Sequence, residues 1–149
     1  MIRAPIPLQQ HPLPVSQFPT ALVRPFFAQP VPGGFPSPAE DFSDAPLDLN
    51  DLLRNKPASF FFRLSGRSME PVAMDGDILV LDRSVQATNG LIVLAVVDAE
   101  YTVKRYYKFG QVVELRPENP EFRSMRFSEG DSRMVEIWGV VTIVIRQTL

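Results

Sequence analysis

Two residues in this sequence could together cleave a peptide bond: a serine in a tight turn and a lysine on a strand. Ser68 follows an apolar run and Gly66, so a sharp turn would expose its hydroxyl and direct backbone N–H groups at a developing oxyanion. A serine nucleophile needs a base. The single histidine, His11, lies in a proline-rich stretch that cannot orient an imidazole, which argues against a Ser-His-Asp triad.

The remaining base is a lysine, as in the Ser-Lys variant of serine catalysis. Lys104 lies in a predicted strand over residues 101–107, where its side chain shares a face with Thr102 and Tyr106. Partial burial there would lower its pKa and favour the neutral amine. A serine beside a glycine is also typical of an ordinary turn, and a strand lysine of a solvated sheet edge. The residues alone therefore leave both interpretations open.

Other chemistries find less support in the composition. The chain has no cysteine, which excludes disulfides, thiol nucleophiles and cysteine-ligated zinc. Asp75-Gly76-Asp77 lacks the other oxygen ligands of a calcium loop and is interpreted as a turn. A net charge of −2 and a pI near 5.4 argue against direct, sequence-specific DNA binding as the main function. We predict no metal and no cofactor, and assign Trp138 and residues 60–62 to the core or to a dimer face.

The elements that must position these residues are predicted to be strands. Short runs rich in β-branched and aromatic residues end at glycine, aspartate or asparagine, and no helical stretch separates them. The predicted strands are 60–64, 78–82, 91–97, 101–107, 112–116 and 135–145. A helical turn is predicted after an N-cap at Asp48. The pattern predicts a mostly β, antiparallel fold of the folded-sheet or barrel-like type.

The beginning of the chain differs from the rest. Eleven of the 15 prolines lie in residues 1–46, and no acidic residue precedes Glu40. Proline excludes regular helix and central strand, so we predict an extended arm over 1–46 and a β-rich domain over 47–149. The longest apolar run, 91–97, is far shorter than a membrane span, and prolines interrupt any secretory signal. The sequence thus predicts a cytoplasmic protein.

The two motifs, taken together, resemble those of the LexA/UmuD family of self-cleaving Ser-Lys proteases. They are Ser65-Gly66-Arg67-Ser68-Met69, followed by Asp75-Gly76-Asp77 and an apolar strand, and Thr102-Val103-Lys104-Arg105. The similarity covers about residues 31–149 and is strongest to the UmuD branch. The further segments that carry it are 34–42, 47–53, 117–120 and 138–141.

The resemblance implies specific roles and partners. Ser68 would be the nucleophile, Lys104 the general base, and Gly33-Gly34 the scissile bond. It further implies that a RecA filament on single-stranded DNA stimulates self-cleavage during the SOS response. The trimmed homodimer would then serve as accessory subunit of a UmuC-like, Y-family, error-prone translesion polymerase. Residues 138–145 contain more apolar side chains than one small core needs, so we expect the dimer contact to lie on this last strand.

Two alternative functions use the same catalytic pair. Ser68-Met69-Glu70-Pro71 also resembles the serine motif of signal peptidases, which process other proteins but usually depend on a membrane anchor. A repressor of the LexA or phage type would need a helix-turn-helix before the cleavage site, and 33 proline-rich residues cannot supply one. The self-cleaving mutagenesis factor is therefore the preferred prediction.

Overall fold

The computed structural model of the chain describes residues 21, 23–27, 33–34 and 43–149. The arm up to residue 20, including His11, lies outside the described residues. The strands are β1 (Val23–Phe27), β2 (Ser43–Asp48), β3 (Ser59–Arg63), β4 (Ile78–Asp82), β5 (Ile92–Val97), β6 (Glu100–Phe109), β7 (Val112–Arg116), β8 (Met125–Phe127) and β9 (Val135–Ile145). Within residues 43–149, two short 3₁₀ helices, Leu49–Leu52 and Lys56–Ala58, lie between β2 and β3.

Seven strands form one antiparallel sheet in the order β3-β4-β9-β5-β6-β7-β8. The predicted antiparallel β-rich fold is confirmed. β9 lies between β4 and β5 and is the only strand of the sheet that hydrogen-bonds to both halves, β3-β4 and β5-β6-β7-β8. The serine loop follows β3 and the lysine lies on β6, so β9 joins the half that carries the candidate nucleophile, Ser68, to the half that carries the candidate base, Lys104.

The core consists of two apolar clusters. One lies beneath the serine loop and contains Leu64, Met69, Ala73, Leu79, Leu81, Leu94 and Val103. The other contains Val93, Ala95, Tyr106, Leu115, Phe127 and Val140. Met69 is fully buried, and a side chain of this size contributes about 1.5–3 kcal/mol when removed from water. The residue next to the candidate nucleophile therefore anchors its loop to the core.

The beginning of the chain contains a second sheet that the sequence did not predict. β1 and β2 pair antiparallel, with Val23 opposite Asp48 and Phe27 opposite Ser43, and are not hydrogen-bonded into the main sheet. Their register shifts between Arg24 and Phe26, where Pro25 has no N–H to donate. β2 also runs across the predicted boundary between residues 46 and 47.

Several local predictions are confirmed, and one strand was missed. The bounds of β4, β7 and β9 are those predicted. Asp48 caps the first 3₁₀ helix by accepting a hydrogen bond from the Asn50 amide at 3.0 Å. β8 was missed because it has only three residues, one of them charged. Across residues 43–149 and the shorter described segments, no helix is both long and apolar enough to span a bilayer.

Candidate active site

The loop that carries Ser68 is closed where it leaves β3 and enters β4. The Leu64 amide donates to the Asp77 carbonyl, and the Gly76 amide donates to the Leu64 carbonyl, both at 2.8 Å. Gly66 turns the chain with a φ of +96°, which glycine adopts without strain. Its amide donates to the Asp75 carboxylate at 2.7 Å. The predicted sharp turn before Ser68 is therefore present, and backbone hydrogen bonds define its shape.

Ser68 is also held from the opposite side, by the loop that follows β7. The amides of Glu118 and Asn119 both donate to the Ser68 carbonyl at 3.0 Å. The Asn119 side chain donates from Nδ2 to the Arg67 carbonyl at 3.1 Å. Sequence reasoning assigned no role to these two residues. The available signal was a polar pair flanked by Pro117 and Pro120, which is typical of a fixed turn.

Lys104 reaches the serine from the neighbouring strand. Its Nζ donates to Ser68 Oγ at 2.9 Å, to Thr102 Oγ1 at 3.0 Å and to the Val103 carbonyl at 2.9 Å. The side chain is on the Thr102 face of β6, as predicted. Lys104 is only 8% exposed, and this burial lowers its pKa from the usual value. None of the ion pairs among the described residues includes Lys104, so its ammonium form has no carboxylate to stabilise it.

Ser68 and Lys104 lie in a cleft of about 330 Å³. Its polar lining includes Ser65, Ser68, Thr102 and Lys104. Its apolar and aromatic lining consists of Phe62, Leu64, Leu79, Leu94, Tyr101 and Val103. A cleft lined mainly by apolar side chains with a few polar groups is suited to holding a bound segment in a fixed orientation.

The predicted scissile bond does not occupy this cleft. Gly33 and Gly34 are exposed and form a bend. A Cβ built on either glycine would have no atom outside its chain neighbours within 4 Å. The structure therefore brings Ser68 and Lys104 together and places Gly33-Gly34 apart from them.

The aspartates after the serine loop have structural partners. Asp77 accepts hydrogen bonds from the Met74 amide at 2.7 Å and from Arg146 at 2.9 and 2.6 Å. The Arg146 guanidinium holds the pKa of the Asp77 carboxyl below its usual range. Within the described part of the chain, no group of three or more acidic or histidine side chains could hold a metal ion. Asp75 and Asp77 thus brace the loop that presents Ser68.

Trp138 packs in an aromatic cluster beside the cleft. Its ring meets Phe60 and Phe62 edge to face, with centroids 5.0 and 5.2 Å apart, and lies 6.4 Å from Tyr101. The Arg83 guanidinium covers the ring at 4.3 Å. The cluster supports the prediction of a core role for Trp138, because its ring joins residues of β3 and β6.

Comparison with known proteins identifies similar chains. A family model described as Peptidase S24-like matches residues 25–142, a span that includes Gly33, Ser68 and Lys104. The protein ImpA of Salmonella typhimurium is 43% identical over 129 residues, which cover 85% of this chain and 86% of ImpA. MucA of Escherichia coli is 42% identical over 120 residues, covering 79% and 81%. SamA of Salmonella typhimurium strain LT2 is 37% identical over 134 residues, covering 89% and 91%.

Proposed function

The chain belongs to the Peptidase S24-like family, and on that premise we propose that it is a self-cleaving Ser-Lys endopeptidase that acts in SOS mutagenesis. Membership agrees with the LexA/UmuD resemblance of the two motifs. The observation that carries the proposal is the 2.9 Å contact between Lys104 Nζ and Ser68 Oγ in a cleft. A partly desolvated lysine beside a serine hydroxyl is the arrangement that lets an amine act as general base.

In the proposed reaction, the neutral amine of Lys104 takes the proton of the Ser68 hydroxyl as Oγ attacks the Gly33 carbonyl carbon. The Gly33-Gly34 bond then breaks, and the Lys104 ammonium donates that proton to the departing Gly34 nitrogen. Lys104 then deprotonates a water, which attacks the acyl-serine. The Lys104 ammonium returns that proton to Ser68 Oγ as Gly33 leaves as a carboxylic acid, which ionises to a carboxylate. Burial of Lys104 favours the first proton transfer because it disfavours the charged amine.

Cleavage in this proposal requires delivery of the scissile bond. Gly33 and Gly34 are exposed, so the segment around them must enter the cleft before Ser68 can attack. An activator that favours the docked arrangement would accelerate cleavage by its differential affinity for that arrangement. We assign this role to a RecA filament on single-stranded DNA, as the family resemblance implies.

An exposed apolar surface lies on the outer face of β3, β4 and β9. Leu49, Leu52, Phe61 and Ile145 are each about half exposed, and they line an apolar groove of about 410 Å³. Such a patch on a small protein marks an interface. We propose that it forms the homodimer contact, and that the trimmed dimer binds a Y-family polymerase subunit.

One experiment tests bond, activity and trigger together. The purified chain is incubated with RecA, ATP and single-stranded DNA, and the products are identified by intact mass and amino-terminal sequencing. We expect a product of residues 34–149 that begins Gly34-Phe35-Pro36, and no product at the same pH when RecA is omitted. A product with another amino terminus would contradict the assigned bond, and no product in any condition would contradict the self-cleaving function.

The dimer proposal has its own test. Leu52→Glu places a charge in the apolar groove and should lower the mass measured by analytical ultracentrifugation from that of a dimer to that of a monomer. Phe109→Glu is the matched control, since Phe109 is equally exposed but lies at the far end of β6. A wild-type monomer, or dissociation by the control as well, would overturn the assignment of this surface.

A further inference from the structure

We propose that Glu118 and Asn119 position the nucleophile, and that Arg105 couples this positioning to the strand that carries the base. The inference rests on the proposed Ser-Lys function and extends it to residues outside the catalytic pair. We call Arg105, Glu118 and Asn119 the bracket. Its members touch neither the Ser68 hydroxyl nor Lys104 Nζ and act only through the backbone of the serine loop.

The first contact of the bracket is with the serine itself. The Ser68 carbonyl accepts two amide hydrogen bonds, from Glu118 and Asn119, which use both of its lone pairs. The preceding carbonyl, that of Arg67, accepts from Asn119 Nδ2. Two consecutive carbonyls of the serine loop are thus fixed by one turn, which restricts the direction in which the Ser68 side chain leaves the backbone.

Asn119 is built into that turn. It is 7% exposed, its Oδ1 accepts from the Glu121 amide at 3.0 Å, and its carbonyl accepts from the Phe122 amide at 3.1 Å. The buried Asn119 side chain donates a hydrogen bond to the serine loop, and leaving this amide without a partner would cost stability. We therefore expect the turn to keep its shape and to hold the Ser68 carbonyl in place.

Arg105 attaches the turn to β6. Its Nε donates to the Glu118 carboxylate and its Nη1 to the Gly90 carbonyl. Arg105 directly follows Lys104, and the two side chains leave β6 on opposite faces. One strand therefore fixes the base directly and the nucleophile through Arg105, Glu118 and the Ser68 carbonyl.

This arrangement matters because the reaction depends on the distance between Ser68 Oγ, on a loop, and Lys104 Nζ, on β6. A displacement of about 1 Å at a reacting group can lower a rate by about 10²-fold. The bracket makes no contact with Lys104 Nζ, whose hydrogen-bond partners other than Ser68 Oγ lie on β6 itself. Its loss should therefore lower the maximal rate of cleavage without changing the pH at which half of that rate is reached.

The central experiment compares self-cleavage rates across alkaline pH for wild type and Asn119→Ala. We expect the plateau rate to fall about ten- to a hundredfold, with the midpoint pH unchanged. Ser59→Ala is the matched control, because buried Ser59 also donates to a backbone carbonyl, that of Asn55, but away from the site. An equal fall in the control, or a moved midpoint with an unchanged plateau, would overturn the proposal.

A conservative pair tests the coupling through Arg105. Glu118→Ala removes the acceptor for Arg105, whereas Glu118→Gln keeps a side-chain oxygen there. We expect the alanine variant to lower the plateau several-fold and the glutamine variant to restore most of it. Equal plateau rates in the two variants would show that the contact between Arg105 and Glu118 does not contribute to the bracket. This pair also carries the test if Asn119→Ala does not fold.

Hydrogen exchange separates failure of the bracket from failure of the proposed function. Amides of residues 66–70 should exchange faster in Asn119→Ala than in wild type, and Ser59→Ala should leave them unchanged. Unchanged exchange in Asn119→Ala would overturn the bracket whatever the cleavage results. If exchange rises but wild type never cleaves itself, the bracket still positions the loop and the Ser-Lys function is the part that fails.

Discussion

The serine loop and the β1-β2 ribbon differ in how firmly each is fixed to the main sheet. Backbone hydrogen bonds of Leu64 and Gly76 close the base of the serine loop, and the Asn119 amide donates to the Ser68 carbonyl. Buried Met69 anchors the loop to the core. The ribbon forms a separate two-stranded sheet with a register shift at Pro25. The proposed catalytic pair is assembled in this structure, whereas the bond it would cut lies outside the cleft.

In the proposed reaction, this difference places control in substrate delivery rather than in assembly of the site. Ser68 and Lys104 are within hydrogen-bond distance without any rearrangement. The exposed Gly33-Gly34 segment must move, and its ordering carries an entropic cost that is high for glycine. Slow delivery would keep an assembled protease from cutting its own chain prematurely.

The largest expected effect comes from removing the nucleophile. Ser68→Ala should lower self-cleavage by at least about 10³-fold with the fold intact, because the members of such a catalytic unit act together. Gel analysis of cleavage and circular dichroism check the two parts. Ser132→Ala, at an exposed position in the turn before β9, should cleave at the wild-type rate. Cleavage of Ser68→Ala at the wild-type rate would show that Ser68 is not the nucleophile, although its loop is firmly fixed.

Replacing the base should be nearly as damaging. Lys104→Arg should be inactive, since a guanidinium keeps its proton at any pH where the protein is folded. In wild type the neutral amine is the reactive form, so the rate should rise with pH up to the lowered pKa of Lys104 and then level off. Lys108→Arg, on the same strand but exposed, is the control. A flat profile between about pH 7 and pH 10 would contradict the role of Lys104.

A substitution at Gly33, between β1 and β2, should slow delivery of the scissile bond and leave the contact between Ser68 and Lys104 unchanged. Gly33→Val should slow self-cleavage by about tenfold or more, because a pocket that accepts glycine discriminates against added methyl groups. Open space around Gly33 means that the fold should not change. Phosphonylation of Ser68 by a small fluorophosphonate should proceed at the wild-type rate. An equal fall in the rates of self-cleavage and of Ser68 phosphonylation would show that a substitution at Gly33, between β1 and β2, also disturbs the active site.

The smallest effect on cleavage is expected from the brace at Asp77. Asp77→Ala should cost about 1–3 kcal/mol of stability at pH 7, since it leaves Arg146 and the Met74 amide without their acceptor, while changing the cleavage rate little. The pKa of Asp77 is lowered in the folded state, so its contribution is present above the usual carboxyl range and is lost as pH falls through the lowered pKa.

Urea unfolding at neutral pH and at about pH 3 measures this difference. Asp131→Ala, which disrupts an exposed pair with Arg133, should change stability less. A loss of stability for Asp77→Ala that persists fully in acid would contradict the electrostatic origin of the brace.

The parts of the molecule that could be predicted are those with a strong local signal. β4 and β9 are apolar runs between turn residues, and the pleat of a strand places Thr102 and Lys104 on one face. The contact between Lys104 and Ser68 was expected only from the family resemblance, because the two residues are brought together by the sheet.

The bracket and the ribbon had no such signal. Asn119 acts through its backbone amide and through a carbonyl 52 residues away, so the flanking prolines indicate a turn but not the loop that this turn contacts. β1 and β2 contain Pro25 and Pro46, which argue against strands except at the edges of sheets. Tertiary pairing overrode that local preference.

The central position of β9 also sets an order of events during protein synthesis. The ribosome delivers β3, the serine loop and β4 first, then β5 to β8, and β9 only afterwards. Until β9 inserts between β4 and β5, the two halves of the sheet share no ladder, and the pairing that closes them is long-range and therefore slow to form. In the proposed reaction, a nascent chain would therefore carry Ser68 and Lys104 before the sheet that brings them together is complete.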